Sequence, residues 1–271
     1  MLSVRQPAVA GAFYPGQRPV LAQDVRAMLA QASEQTDLSA RVPKAIIVPH
    51  AGYIYSGSTA ALAYARLASV WGSIQRVVLL GPAHRVPVRG LALPGCGFMA
   101  TPLGEVEVDQ AAVDQLAHLP QVVVSRAVQA QEHSLEVQLP FLQTVLDDFK
   151  LVPLVVGDAT PEEVAEVLEL LWGGPETLLV ISSDLSHFLP YRTAQQIDRQ
   201  TTQAILDLRG PLTHQQACGG TPINGLLLAA RHHGLQPELL GLCNSGDTAG
   251  DKDRVVGYAA LAFTPETVHA H

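Results

Sequence analysis

Short, unbroken runs of Val, Ile, Leu and Ala constrain the fold of this chain more than any other feature of its sequence. Six such runs are "AIIV" (45–48), "RVVLLG" (76–81), "LVPLVVG" (151–157), "TLLVIS" (177–182), "LLGLC" (239–243) and "VVGYAALAF" (255–263). Strands that are buried on both faces of a sheet have continuous apolar sequences, whereas half-exposed strands alternate apolar and polar residues. The runs therefore predict a central, largely parallel sheet that is covered on both sides.

Helical patterns separate the predicted strands and cover residues 56–69, 134–147, 160–172, 192–208 and 222–233. Thr160 and Glu163, with a proline between them, predict a capping box. Pro140 is expected to kink or shorten its helix. Alternation of strands and helices predicts an α/β fold, organised as a single three-layer domain over residues 1–271. Segment 90–108 has no helical periodicity, so we expect an antiparallel hairpin or flap at the sheet edge.

Composition excludes several classes of protein. Hydrophobic residues make up 48% of the chain and charged residues 15%, which favours a compact globular protein over a disordered one. The formal net charge of -8 and the lack of a basic stripe argue against nucleic-acid binding. Three scattered cysteines without a C-x-x-C motif are typical of a reducing compartment. We find no signal peptide or membrane-span pattern, and we expect a soluble, cytoplasmic protein without a membrane partner.

Polar residues follow four of the predicted strands. His50 follows the strand at 45–48, and His84 follows the strand that begins at Arg76. Asp184 follows the strand at 177–182, with His187 shortly after it, and Cys243 ends the fifth strand. Ligands gather at the carboxyl ends of strands in open α/β sheets, so we expect these side chains to converge in one crevice.

This set of side chains is suited to transition-metal chemistry. Two imidazoles and a thiolate are suitable ligands for Zn, Fe or Cu and poor ligands for Mg or Ca. Asp184 and His187 could orient a metal ligand or act as an acid/base pair. Cys243 has three candidate roles, as apolar filler, as a metal ligand, or as the nucleophile of a Cys-dependent hydrolase.

Residues near these strand ends have weaker predictions. His133 precedes a predicted helix and is interpreted either as a loop residue or as a third imidazole at the crevice. Tyr53 and Tyr55 follow His50 and are candidates for a substrate-pocket wall, although at least one is expected to pack in the core. Ser56 is expected to open the next helix, whose free N–H groups could face an anion.

The remaining histidines are not expected to take part in the site, and the sequence assigns no role to Cys96 or Cys218. The histidines in helices, loops and the C-terminal tail are assigned ordinary structural roles: His118, His214, His232, His233, His269 and His271. Cys96 and Cys218 each lie beside glycine, for which backbone flexibility is the simplest interpretation.

Six motifs together resemble the Memo family, also called AmmeMemoRadiSam system protein B. They are "PAVAGAFYP", "VPHAGYIYSG", "LLGPAHR", "EHSLEVQLPFL", "ISSDLSHF" and "CNSGDT" followed by "VGYAALAF", and they occur in the family's order between about residue 4 and residue 263. The resemblance implies a fold similar to that of class III extradiol ring-cleavage dioxygenases, which use non-haem iron.

The resemblance also implies roles for individual residues. By motif, the metal ligands correspond to His50, His84 and Cys243. Asp184 and His187 would line the same pocket, with His133 nearby. A thiolate in the third position would favour copper or zinc and is itself oxidisable, which departs from the two-His, one-carboxylate iron site of the dioxygenases.

Three functions are consistent with these observations. The first is a metal-dependent redox protein that holds one Fe or Cu ion per chain, with Zn as a further candidate, and acts on an unknown small molecule. The second is a binding module with a vestigial pocket that recognises a peptide or a partner protein. For this module the family name implies a radical-SAM protein and a second small protein as candidate partners. The third is the Cys-dependent hydrolase.

Overall fold

The computed structural model describes residues 3–266, so His269 and His271 lie outside the described residues. The helices are α1 (Arg18–Ser33), α2 (Tyr53–Ala65), α3 (Gln110–Leu116), α4 (Arg126–Ala130), α5 (Leu139–Val145), α6 (Pro161–Leu170), α7 (Tyr191–Leu206) and α8 (Gly220–His232). Among these residues, no helix is both long and apolar enough to cross a bilayer.

The strands fall into two sheets. They are β1 (Val4–Arg5), β2 (Ala45–Val48), β3 (Arg76–Pro82), β4 (Leu91–Leu93), β5 (Phe98–Thr101), β6 (Gly104–Glu107), β7 (Val122–Val124), β8 (Lys150–Val156), β9 (Thr177–Ser182), β10 (His187–Leu189), β11 (Leu235–Asn244) and β12 (Val255–Pro265). The main sheet has the order β10-β12-β2-β9-β3-β8-β4-β7. β11 pairs with the edge of β12 that lies opposite β2. A smaller sheet has the order β1-β5-β6.

The predicted α/β class is confirmed, and the main sheet is mixed at its margins. β2, β9, β3 and β8 are parallel neighbours, as their continuous apolar sequences predict. β12 runs antiparallel to β2, and β4 runs antiparallel to β8. The parallel centre therefore places the carboxyl ends of β2, β9 and β3 side by side.

Two hydrophobic layers cover the sheet, which makes the domain three-layered. Ile46 and Val48 of β2 enter the layer beneath α1, α2 and α5, whereas Ala45 and Ile47 enter the layer beneath α6 and α8. All four of these side chains are buried. Alternate residues of one strand thus contribute to opposite cores, which explains why the strand has no polar face.

α2 starts at Tyr53, three residues before the predicted start of this helix at Ser56. Gly52 caps the helix, and its carbonyl accepts hydrogen bonds from the N–H groups of Tyr55 (2.8 Å) and Ser56 (3.1 Å). Gly57 lies inside the helix, where it faces α1. A Cβ at this position would lie only 2.5 Å from Met28 Sδ. The glycine that suggests a loop in the sequence therefore serves close packing between α1 and α2.

Other local predictions are confirmed. The capping box at Thr160 and Glu163 is present at the start of α6. Pro140 lies in the first turn of α5, which is shortened to seven residues. Within segment 90–108, β5 and β6 form the expected antiparallel hairpin, while β4 joins the main sheet.

Candidate metal centre

Three neighbouring strands bring polar side chains to one edge of the sheet. β9 lies between β2 and β3, so Asp184 emerges between the chain segments that carry His50 and His84. The rings of His50 and His84 lie 5.1 Å apart, edge to face. Asp184 Oδ1 accepts a hydrogen bond from the His50 backbone N–H at 2.7 Å. His50, His84 and Asp184, which the sequence places at the ends of three strands, thus lie together in the structure.

Hydrogen bonds fix the tautomer of His50. The hydroxyl of Ser182 donates its proton to the Ser134 carbonyl at 2.6 Å and accepts one from Gln138 Nε2 at 2.8 Å. Ser182 Oγ can therefore only accept from His50 Nδ1, 2.9 Å away. His50 Nε2 is left with a free lone pair, which is the state that a metal ligand needs.

His84 is oriented by a buried carboxylate. Its Nδ1 donates to Glu132 Oε1 at 2.9 Å, and its backbone N–H donates to Glu132 Oε2 at 2.6 Å. Burial alone would raise the pKa of Glu132, but hydrogen bonds from His84 and from the Ser134 backbone outweigh it and lower the pKa to about 2. Glu132 is thus ionised at neutral pH and leaves His84 Nε2 free, a carboxylate–histidine pair common in metal sites.

His133 joins the two strand-end histidines. One nitrogen from each of His50, His84 and His133 lies within 4.8 Å of the others, which is compatible with a shared metal ion. The ring of His133 lies 4.6 Å from that of His84 and packs against Phe13. Within residues 3–266 its buried Nδ1 has no hydrogen-bond partner, and it lies 3.4 Å from a Glu132 oxygen. Burial and the neighbouring His84 lower the pKa of His133 to about 4.

Cys218 is the residue of this cluster that sequence reasoning missed. Its Sγ lies 3.3 Å from His50 Nε2, the nitrogen with the free lone pair, and accepts a hydrogen bond from the Asp184 N–H at 3.3 Å. Burial and the Asp184 carboxyl raise the pKa of Cys218 to about 12. The thiol precedes α8 and follows no strand. No local sequence signal marks it, because its approach to His50 depends on long-range packing of the segment before α8.

Cys243 is not brought to this cluster. Its Sγ lies 3.1 Å from Thr59 Oγ1, on the side of α2. β11 is separated from β2 by β12, and two strand spacings of about 4.8 Å place Cys243 about 10 Å to the side of the His50 position. Among residues 3–266, the group that could share an ion with His50 and His84 contains His133 and contains neither Cys243 nor Cys218.

Neither cysteine has the ionisation state of a hydrolase nucleophile. Burial raises the pKa of Cys243, as it raises that of Cys218. An activated cysteine needs a lowered pKa, from a cation or a helix N-terminus. The observed shifts therefore weigh against the Cys-dependent hydrolase.

Asp184 and His187 lie beside the histidine cluster. Asp184 is buried, and the loss of solvation raises its pKa to about 7 against hydrogen bonds from the His50 and Ala51 backbone. His187 Nδ1 lies 2.8 Å from the Leu185 carbonyl, which can only accept, so Nδ1 carries the proton and Nε2 is free. Both side chains could hold or pass a proton near the predicted metal.

A cavity of about 1050 Å³ opens onto the cluster. His84, His187 and Cys218 line it together with His214, which the sequence assigned an ordinary structural role. Its remaining lining is largely apolar or amide: Pro82, Ala83, Pro87, Val88, Val156, Gly157, Asp158, Leu189, Ile197, Gln200, Gln215 and Gln216.

The residues predicted to form the pocket wall lie elsewhere. Tyr53 is buried in the core, where its hydroxyl donates to the Val137 carbonyl at 2.7 Å. Ser56 is buried and donates to the Ala51 carbonyl at 3.0 Å. Tyr55 is half-buried on α2, and none of the three lines the cavity. Because α2 begins at Tyr53, this segment packs as a helix and does not form a loop around the pocket.

Fold and site together define an α/β protein with a candidate metal centre at the carboxyl ends of parallel strands. Residues 5–262 match the family described as Memo-like protein. A MEMO1 family protein of Methanosarcina barkeri is 37% identical, over 95% of this chain and 99% of that protein. A MEMO1 family protein of Sulfolobus acidocaldarius is 36% identical, over 96% and 99% of the two chains. The chain belongs to the Memo-like family.

A solved structure supports the fold at lower similarity. The uncharacterized protein JW3007 from Escherichia coli K12 superposes with a TM-score of 0.51 and 16% sequence identity. The match covers 81% of this chain and 99% of that protein. At this identity the likeness concerns the fold alone.

Proposed function

We propose that this protein is a metal-dependent redox protein whose centre holds one transition-metal ion on His50, His84 and His133, with Cys218, which adjoins His50, as the proposed sulfur ligand. The observation that carries the proposal is the pair of locked tautomers. Ser182 and Glu132 each accept a hydrogen bond from the protonated Nδ1 of one histidine, which leaves Nε2 of both rings unprotonated at the same edge of the sheet. Such outer partners are the usual means by which proteins orient metal-binding imidazoles.

Cys218 and His133 flank this histidine pair and differ in what they would contribute. The 3.3 Å contact from Cys218 Sγ to His50 Nε2 is close to the spacing of two ligands on one ion, and a metal would displace the thiol proton. His133 is placed to provide the third imidazole ligand. A mixed nitrogen and sulfur set favours Fe, Cu or Zn over Mg or Ca.

Neighbouring residues would manage substrate and protons. When bound, an Fe or Cu ion would supply one-electron chemistry and an electrophilic position for an oxygen-bearing substrate. His187, with Nε2 free, would accept a proton from a molecule in the cavity, and Asp184 would orient the His50 segment through its backbone. Among the described residues, no lysine or arginine lines the cavity, which favours an uncharged small molecule over a phosphorylated or carboxylated one.

A binding module remains the second candidate function, because two large apolar side chains are exposed near the site. Phe188, adjacent to His187, is 60% exposed, and Ile54 in the first turn of α2 is 72% exposed. A peptide or a partner protein, including a radical-SAM protein of the same system and its small companion, could cover them. Partner binding that persists after chelation and is lost in Phe188→Ala would favour this function over redox chemistry.

Metal analysis tests the main proposal. Protein purified anaerobically and reconstituted with Fe²⁺ or Cu²⁺ should retain about one ion per chain, and His50→Ala and His84→Ala should each abolish retention. His118→Ala, an exposed histidine remote from the cluster in sequence, is the matched control. Unchanged metal content in both cluster variants would refute the proposal.

A further inference from the structure

A second group of potential ligands lies at the surface, at the C-terminal ends of α6 and α8. Glu169 lies on α6, His232 is the last residue of α8, and His233 caps that helix. His232 Nδ1 lies 2.9 Å from Glu169 Oε1, and His233 Nε2 lies 2.8 Å from Glu169 Oε2. The three ligand atoms are mutually within 4.8 Å. Consecutive residues would diverge within a helix, but the helix ends here and both rings turn toward one carboxylate.

The spacing of these atoms is close to that of a metal site. Two ligands on a tetrahedral Zn²⁺, with bonds of about 2.0–2.1 Å, lie about 3.3 Å apart. The observed 2.8 and 2.9 Å separations therefore require movements of only a few tenths of an ångström to admit an ion. Two imidazoles and a carboxylate favour Zn²⁺ or Cu²⁺ over Mg²⁺ or Ca²⁺.

The surroundings hold one imidazole in place. The ring of His233 stacks on Trp172, with centroids 3.7 Å apart and planes within 9°. Lys44 Nζ in turn donates to the carbonyls of Trp172 and Gly174, which fixes the chain that carries the indole. His233 is 28% exposed and His232 is 71% exposed, so the group is open to ions from solvent. Two helix C-termini add partial negative charge, which also favours a cation.

The carboxylate is already ionised. Burial would raise the pKa of Glu169, but the hydrogen bonds from His232 and His233 lower it overall. A metal ion would replace the two imidazole protons that now face Glu169, so both histidines would release a proton or change tautomer on binding.

We propose that Glu169, His232 and His233 form a second, surface metal site that binds a divalent cation of the Zn²⁺ and Cu²⁺ class, with water completing its coordination. The ion joins the C-terminal end of α6 to that of α8. Because binding requires the folded arrangement of two helices, it stabilises the protein by an amount that rises with the logarithm of the ion concentration above the dissociation constant.

Trp172 provides a direct reporter. In a Trp71→Phe chain it is the only tryptophan, and Cu²⁺ bound beside it should quench its emission saturably. Adding Glu169→Gln and His232→Ala should raise the Cu²⁺ concentration needed by at least about tenfold. His118→Ala should leave the titration unchanged. Quenching that does not saturate, or that survives both substitutions, would refute the metal site. The three residues would then form only the hydrogen bonds between Glu169 and the two histidines.

Zn²⁺ stoichiometry separates this site from the buried cluster. Equilibrium dialysis of the full chain should give about two Zn²⁺ per chain. Glu169→Gln/His232→Ala should retain one, and His50→Ala/His84→Ala should also retain one. If only the first variant keeps its full count, the surface site is absent while the main proposal stands. If only the second does, the main proposal fails while the surface site stands.

Discussion

The carboxyl ends of β2 and β11 point to the same edge of the sheet, yet only β2 contributes to the histidine cluster. β12 runs antiparallel to both strands, so β2 and β11 run in the same direction. His50, after β2, contacts Cys218, whereas Cys243, at the end of β11, contacts Thr59. Strand direction decides which edge a residue reaches, and strand order decides which neighbours it meets there.

The largest expected effect distinguishes these two strand ends directly. His50→Ala removes an imidazole whose Nε2 is held free by Ser182, and metal retention should fall from about one ion per chain to nearly none. Thr59→Val, which changes the contact of Cys243 on the other side of β12, is the matched control. Elemental analysis after dialysis measures both. Equal loss in the two variants would mean that the β11 end does belong to the site.

A weaker effect is expected from the carboxylate behind His84. Glu132→Gln removes the charge that holds His84 Nδ1 protonated, and metal affinity should fall by about 10- to 100-fold. Glu105→Gln, at an exposed position, should have no effect. Competition with a chromophoric chelator measures the affinities. If the Glu132→Gln protein is folded and binds metal with normal affinity, Glu132 does not orient His84 for metal binding.

The pH dependence of stability tests the buried acid between the two histidines. Burial raises the pKa of Asp184 from 3.8 to about 7, so the folded metal-free protein binds this proton more tightly than the unfolded chain. Asp184 therefore destabilises the fold progressively from about pH 4 to 7, by up to about 4 kcal/mol. His50 and His133, whose pKa values are lowered by burial, have the opposite slope below about pH 6.5.

Asp184→Asn should separate these opposing contributions. Without the acid, the stability of metal-free protein should rise more steeply with pH between about 4 and 6.5 than that of the parent chain. It should also exceed the parent's stability at pH 7.5. Urea denaturation across this range measures the difference. Parallel pH profiles for the two proteins would show that Asp184 keeps an ordinary pKa.

The smallest effect is expected at the β11 end. Cys243→Ser should change metal affinity by less than about twofold and cost no more than about 1 kcal/mol of stability, because the contact with Thr59 is a single hydrogen bond. Calorimetric titration and thermal unfolding measure the two quantities. A tenfold loss of metal affinity would restore Cys243 as a ligand.

The parallel core and its strand-end residues were predictable because their signal is local. Continuous apolar sequence identifies β2, β3 and β9, and the residue after each strand is then placed at one edge. Glu132 and Cys218 were not predictable in this way, since one lies after α4 and the other before α8. Their proximity to His84 and His50 depends on long-range packing that no short pattern encodes. The helical start at Tyr53 was missed because Gly52 and Gly57 read as loop residues.

Optical spectroscopy of the metal-loaded protein tests the central claim, that Cys218 and not Cys243 provides the thiolate. Anaerobic reconstitution with Cu²⁺ or Fe²⁺/³⁺ should give a thiolate-to-metal charge-transfer band in the parent protein. The band should vanish in Cys218→Ser and persist in Cys243→Ser. A band that survives Cys218→Ser and is lost in Cys243→Ser would contradict the proposed ligand set.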